Sequence, residues 1–143
     1  MTTPPALRAH GSLSSLFRLA LAALLTSALY GALFSYRTDY LGHYAAGLGG
    51  TLLLFGPLLW LSPRPPRGEA VVVALAAIAV GFVTEATIFR IALFDPVDFL
   101  NQSLGAGIAA SGMIRADPSR RLAVAAVSIS IVLIGAGFFF AFL

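Results

Sequence analysis

Five apolar blocks, separated by short connectors rich in Pro, Gly and Arg, account for most of this chain. They run over residues 19–36, 40–61, 70–94, 97–114 and 122–143. A helix needs about 20 apolar residues to cross a bilayer, within a range of about 17–25. All five blocks meet that length, the first and fourth by the narrowest margin. Strands of a membrane barrel would alternate polar and apolar residues over about 10 positions, and these continuous blocks do not alternate. In lipid every backbone polar group must be paired internally, so each block is expected to be a helix. Composition excludes the alternatives. Hydrophobic residues make up 59% and charged residues 10%, against about 45–50% and about 25% in a soluble domain. Mean hydropathy is +0.92. Such a chain would leave apolar surface exposed in water, and it is far too apolar to be disordered. The expected fold is all-α: a polytopic transmembrane bundle of five helices.

Residues 1–15, rich in Thr, Pro, Ser and Gly, read as a flexible N-terminal tail, and residues 16–143 as a single transmembrane domain. The connector Ser62 to Gly68 is broken by prolines and glycine, and Phe94 to Asp98 reads as a tight turn with Pro96 suited to a first helical turn. Short cytoplasmic loops carry the excess of Lys and Arg. With the N-terminus inside, Arg8, Arg18, Arg64, Arg67, Arg115, Arg120 and Arg121 are cytoplasmic, and only Arg37 and Arg90 lie outside. Five crossings then put the C-terminus outside the cytoplasm. Tyr30, Tyr36, Tyr40 and Tyr44 fall at the outer end and Trp60 at the inner end, as interfacial aromatics should. The first block exceeds a signal-peptide core in length and no small-x-small cleavage site follows, so it is expected to be retained.

The acids are unevenly placed. Glu69 and Asp117 lie in the cytoplasmic connectors, whereas Asp39, Glu85, Asp95 and Asp98 converge on the outer end, together with His43. His43 is four residues beyond Asp39, one turn along the same helix face. Glu85 lies fifteen residues into the third block, about 22 Å at 1.5 Å per residue, inside the hydrocarbon. A charge there costs about 2.5–3.5 kcal/mol on insertion scales, so Glu85 is expected to be paired, hydrated or protonated. Asp98, Asn101 and Gln102 open one side of the fourth helix, which continues as a stripe of Gly105, Ala109 and Gly112 suited to close helix approach. The plainer alternative makes Asp39, Asp95 and Asp98 helix caps or loop charges, and Arg37 and Arg90 surface residues, Arg90 snorkelling outward.

The run Thr38-Asp39-Tyr40-Leu41-Gly42-His43 resembles the Asp-Lys-x-x-His signature of VanZ-like membrane proteins. Thr84-Glu85 resembles that family's acidic pair, Arg90 its arginine, and Asp98…Gln102-x-x-Gly105 its final Asp-x-x-x-Asn-x-x-Gly element. Tyr40 replaces the lysine, Thr84 the first acid, and Gln102 stands at the asparagine spacing with Asn101 one residue early. The YjdF-like proteins, with a similar Asp-His-Leu-Gly-His opening, compete for the same likeness. The resemblance implies a multi-pass protein of the bacterial cytoplasmic membrane, a cell-envelope role linked to antibiotic resistance, and a polar site at the outer leaflet.

Two functions follow as expectations. In the first, Asp39, His43, Glu85 and Asp98 form a carboxylate/His cluster acting on or binding a lipid or lipid-linked cell-wall component, with Arg90, Asn101 and Gln102 as binding residues. His43 would serve as acid or base, oriented by Asp39. In the second, the chain is a non-catalytic accessory or scaffold subunit of a larger membrane complex, and the polar residues fix helix packing. A proton-coupled carrier is weaker for want of inverted repeats. Gly47 to Gly50 lies within a helix and reads as packing rather than nucleotide binding. No cofactor is required. Carboxylate and imidazole suit a divalent metal, but no tight ligand motif is present. The absence of cysteine removes thiolate chemistry. The expected partners are membrane lipids, a second copy of the chain or other membrane proteins. The arginines are scattered over the connectors, so nucleic acid is not among them.

Overall fold

The computed structural model describes residues 5–62, 64, 66–87, 94–114 and 116–141, with side chains described from residue 14. Five helices follow one another: α1 (Pro5–Leu33), α2 (Thr38–Leu61), α3 (Arg67–Thr87), α4 (Pro96–Met113) and α5 (Arg120–Ala141). No strand occurs among the described residues. Four of the helices, α1 from Ser14, α2, α3 and α5, are long and apolar enough to cross a membrane. The chain is a membrane-embedded helical bundle.

α1 corrects the expected tail, since the helix begins at Pro5 rather than near residue 19. Proline is tolerated in a first helical turn, where its missing N–H has no intrahelical partner. Ala6, Leu7, Arg8 and Ala9 behind it are good helix formers, and no proline follows, so the helix runs through Gly11 and the serines into the apolar block. α1 also stops earlier than expected, at Leu33. Phe34 N–H still donates to Tyr30 O, and Arg37 N–H to Phe34 O, closing a tight turn into α2. The expected end of the third helix, residues 88–94, lies outside the described residues apart from Phe94, and so do residues 142–143 at the end of the fifth.

α2 is the axis of the bundle, packing most extensively on α5 and then on α4. Its sequence explains this. Gly42, Gly49 and Gly56 recur every seven residues, two helical turns, and all three face α5. A Cβ on Gly42 would lie 2.7 Å from Gly137 O and 2.8 Å from Ala141 N. One on Gly49 would lie 3.0 Å from side-chain atoms of Leu133 and Ile134, and one on Gly56 would strike Val127. Such small residues let backbones approach where lipid gives no hydrophobic drive to pack. Gly47, on another face, meets the Gln102 backbone of α4, and Gly105 of α4 meets the Tyr44 carbonyl. The glycine run of α2 therefore serves packing, and the α4 stripe does too, with Ala109 fully buried and Gly112 against Leu19 of α1.

These pairings fix direction. His43 faces Asp98 and Gly47 faces Gln102, so α2 and α4 run parallel. Gly42 meets Gly137 while Gly56 meets Val127, so α5 runs against α2. Tyr30 meets Asn101 and Leu19 meets Gly112, so α1 runs against α4. The result has a tyrosine end, with the α1–α2 turn and the start of α4, and an arginine end, with the α2–α3 and α4–α5 connectors. Between them lies the core of Leu48, Leu52, Phe55, Leu59, Met113 and Leu122. At the arginine end the Arg120 guanidinium lies 5.1 Å from the Trp60 ring centroid.

Candidate polar site at the tyrosine end

The parallel crossing of α2 and α4 carries the site. Because Gly47 and Gly105 remove two side chains from that contact, the helices come close enough for the turn above them to bring His43 and Asp98 together. His43 Nε2 lies 3.4 Å from Asp98 Oδ2, with 17% and 13% of the two side chains exposed. That is an ion-pair distance longer than a well-formed hydrogen bond. Asp98 also lies within electrostatic range of Asp95, Asp39 and Glu85. Asn101, one turn further along α4 and buried, accepts a 2.6 Å hydrogen bond at Oδ1 from the Tyr30 hydroxyl of α1. Tyr30 stacks on Tyr44 of α2, with centroids 5.5 Å apart. Three helices thus contribute to one linked set: Tyr30, His43, Tyr44, Asp98 and Asn101.

Within this set two buried polar atoms, Asp98 Oδ1 and Asn101 Nδ2, have no hydrogen-bond partner among the described residues, and the Tyr44 hydroxyl lies beside Thr26 of α1 without a well-formed bond. Burying a polar atom unpaired costs about 1–3 kcal/mol, so the set carries an unmet polar demand at one level of the bundle.

The remaining expected residues divide. Asp39 does not orient His43. The helix spacing is as expected, but its carboxylate turns back to Arg37, with Nη2–Oδ2 at 2.7 Å and Nε within 3.0 and 3.2 Å of the two oxygens. Asp98 faces the imidazole instead. A guanidinium two residues away offers a bidentate, charge-assisted partner, which outcompetes a neighbour one turn along the helix. Arg37 also lies over the Tyr40 ring at 4.0 Å, and the hydrogen bond to Asp39 raises its pKa above the ordinary arginine value. Asp95 is the N-cap of α4, accepting from Val97 N–H at 2.8 Å, with Pro96 at the helix start. Arg90 lies outside the described residues.

Glu85 is buried, 7% exposed, on α3. No hydrogen bond or ion pair reaches it among the described residues. Gln102 lies one turn below it, because Gly81 and Glu85 share a face of α3 and a Cβ on Gly81 would run into the Gln102 amide. Gln102 is held between two glycines, its backbone on Gly47 and its side chain on Gly81. Among the described residues no three His, Asp or Glu side chains come together as a metal ion would need.

Sequence reasoning missed Tyr30 and Tyr44 as site residues. Both fit the aromatic-belt pattern, which masked their second role. The available signal was adjacency, since Tyr44 follows His43 directly and Tyr30 sits one turn before the α1–α2 turn.

Chemically, an imidazole beside a carboxylate can take up and return a proton. The open valences of Asp98 and Asn101 offer one acceptor and one donor, with the Tyr44 hydroxyl beside them. No family model, curated protein or solved structure matches the chain.

Proposed function

We propose that this is a VanZ-like multi-pass protein of the bacterial cytoplasmic membrane whose tyrosine end faces outward and binds a lipid or lipid-linked cell-wall component at the polar cluster. The observation that carries the reading is the pair of buried polar atoms on Asp98 and Asn101 that have no partner among the described residues, with the Tyr44 hydroxyl beside them. A ligand's polar head would supply the missing partners and recover desolvation already incurred. Glu85 adds a further buried carboxyl within electrostatic range of Asp98, in a layer where acids are expensive and mark function by default. The His43–Asp98 pair gives the site a proton-transfer element, should the bound component react. The outward orientation rests on the arginine bias of the opposite end and the tyrosines of this one.

A scaffold role in a larger membrane complex is the second reading. It is favoured by the ordinary structural use of Asp39 on Arg37 and of Asp95 as a cap. Native mass spectrometry of the protein, released gently from its membranes, separates the two. A bound species of defined lipid mass, lost in Asp98→Asn and in Glu85→Ala, is the expected result. A stoichiometric foreign protein with no small ligand would overturn the binding reading in favour of the scaffold.

A further inference from the structure

At the arginine end, far from the polar cluster, α1 and α4 do not close against each other completely. An open groove of about 370 Å³ remains between them. Its walls are Leu19 and Ala22 of α1 and Ile108, Ser111 and Gly112 of α4, and Arg18 stands at its rim. Gly112 shapes the groove. A Cβ there would lie 3.1 Å from Leu19 side-chain atoms, so the glycine lets α1 approach at this level, while Ala22 is too small to fill the space above.

Arg18 is unlike the other described arginine whose full partnership is on view. Arg37 is neutralised by Asp39. Arg18 donates only to neutral oxygens of its own helix, Nε to Ser14 O at 3.2 Å and Nη2 to Ser15 Oγ at 3.2 Å. Among the described residues no carboxylate pairs with it. A guanidinium has five N–H donors, so the two bonds hold the head at the groove while leaving donors and the whole charge available. Leu19 lies against Gly112, one residue before the end of α4 at Met113, so Arg18 stands level with the α4–α5 connector at the arginine end of the bundle. An arginine at such an end reaches for phosphate.

We infer that this groove is a binding site for an anionic phospholipid, its phosphate on Arg18 and an acyl chain along Leu19, Ala22, Ile108 and Gly112. The apolar wall excludes a free phosphate as the natural occupant, and the fixed cation selects an anionic lipid over a zwitterionic one. Basic pockets between transmembrane helices recognise lipid headgroups by this combination. The inference is independent of the proposed function, since it concerns the opposite end of the bundle.

The test is lipid retention by the full-length protein in mild detergent, measured by native mass spectrometry with phosphatidylglycerol and phosphatidylcholine offered in equal amounts. One phosphatidylglycerol is expected to be retained in preference. Arg18→Gln should weaken it about fivefold, the worth of one arginine at an anionic surface. Ala22→Phe, which keeps the charge and fills the groove, should weaken both lipids alike. Arg120→Gln, which removes a charge at the same end away from the groove, should change nothing. Equal retention of the two lipids by the unaltered protein would overturn the site. So would an Arg120→Gln loss equal to that of Arg18→Gln, or unchanged binding in Ala22→Phe.

Discussion

Two faces of α2 are built on the same device and used differently. Toward α5, Gly42, Gly49 and Gly56 admit backbone and aliphatic side chains. Toward α4, Gly47 admits a backbone in the same way, but the next turn carries His43 and Tyr44 into a set of polar groups with open valences. The first face holds the bundle together. The second accepts unpaired atoms that a purely structural contact would avoid. Close approach is thus a shared means, and what the helices bring to the contact decides whether it is scaffold or site.

The largest expected effect lies on the α5 face. Gly42→Leu places a side chain against Gly137 O and Ala141 N, backbone atoms that cannot rotate away. Overpacking of this kind costs about 1–3 kcal/mol and sometimes more, and a substitution against backbone belongs at the upper end. Unfolding in mixed micelles of mild detergent and sodium dodecyl sulfate should show it. A stability equal to that of the unaltered protein would remove α5 as the anchor.

His43→Ala comes next. It leaves Asp98 without its imidazole partner, and a buried polar group left unpaired costs about 1–3 kcal/mol. The residual exposure of both side chains brings the expectation to the middle of that range, about 2 kcal/mol. Asp98→Asn, by contrast, removes the buried charge and keeps an acceptor. It should cost no more than about 1 kcal/mol while abolishing ligand retention. That separation of stability from binding is what distinguishes the α4 face from the α5 face.

The smallest effect is at Ser130, a fully buried hydroxyl on α5 without a partner among the described residues. Ser130→Ala deletes an unsatisfied group, so stability should stay level or rise by up to about 1 kcal/mol. A clear loss would mean that the hydroxyl has a partner, and that the α5 face is less purely structural than its packing indicates.

The sequence disclosed the bundle because hydropathy over twenty residues is a strong signal in a chain with so few charges. Five helices stand where the five blocks were expected, but only α1, α2, α3 and α5 are long and apolar enough to cross a membrane, and Asp95 caps α4 as its composition suggests. The start of α1 was hidden because apolarity marks membrane crossing, whereas a helix once begun continues through polar residues and even Gly11. Helix periodicity placed Asp39 and His43 on one face, but it says nothing about which side chain on another helix reaches the imidazole. That required the α2–α4 crossing, which depends on Gly47 and Gly105 meeting at one level. Tyr30 and Tyr44 were legible as interfacial aromatics, while their hydrogen-bonding and stacking roles emerge only when α1 is laid against α4.

The most direct test of the account is a double-mutant cycle between His43 and Asp98, read by unfolding in mixed micelles. Residues that face each other as a pair are expected to show a coupling of about 1 kcal/mol or more between His43→Ala and Asp98→Ala. Additive effects, within about 0.5 kcal/mol, would mean that the two helices do not present these groups to each other, and the polar site at the tyrosine end would lose its centre.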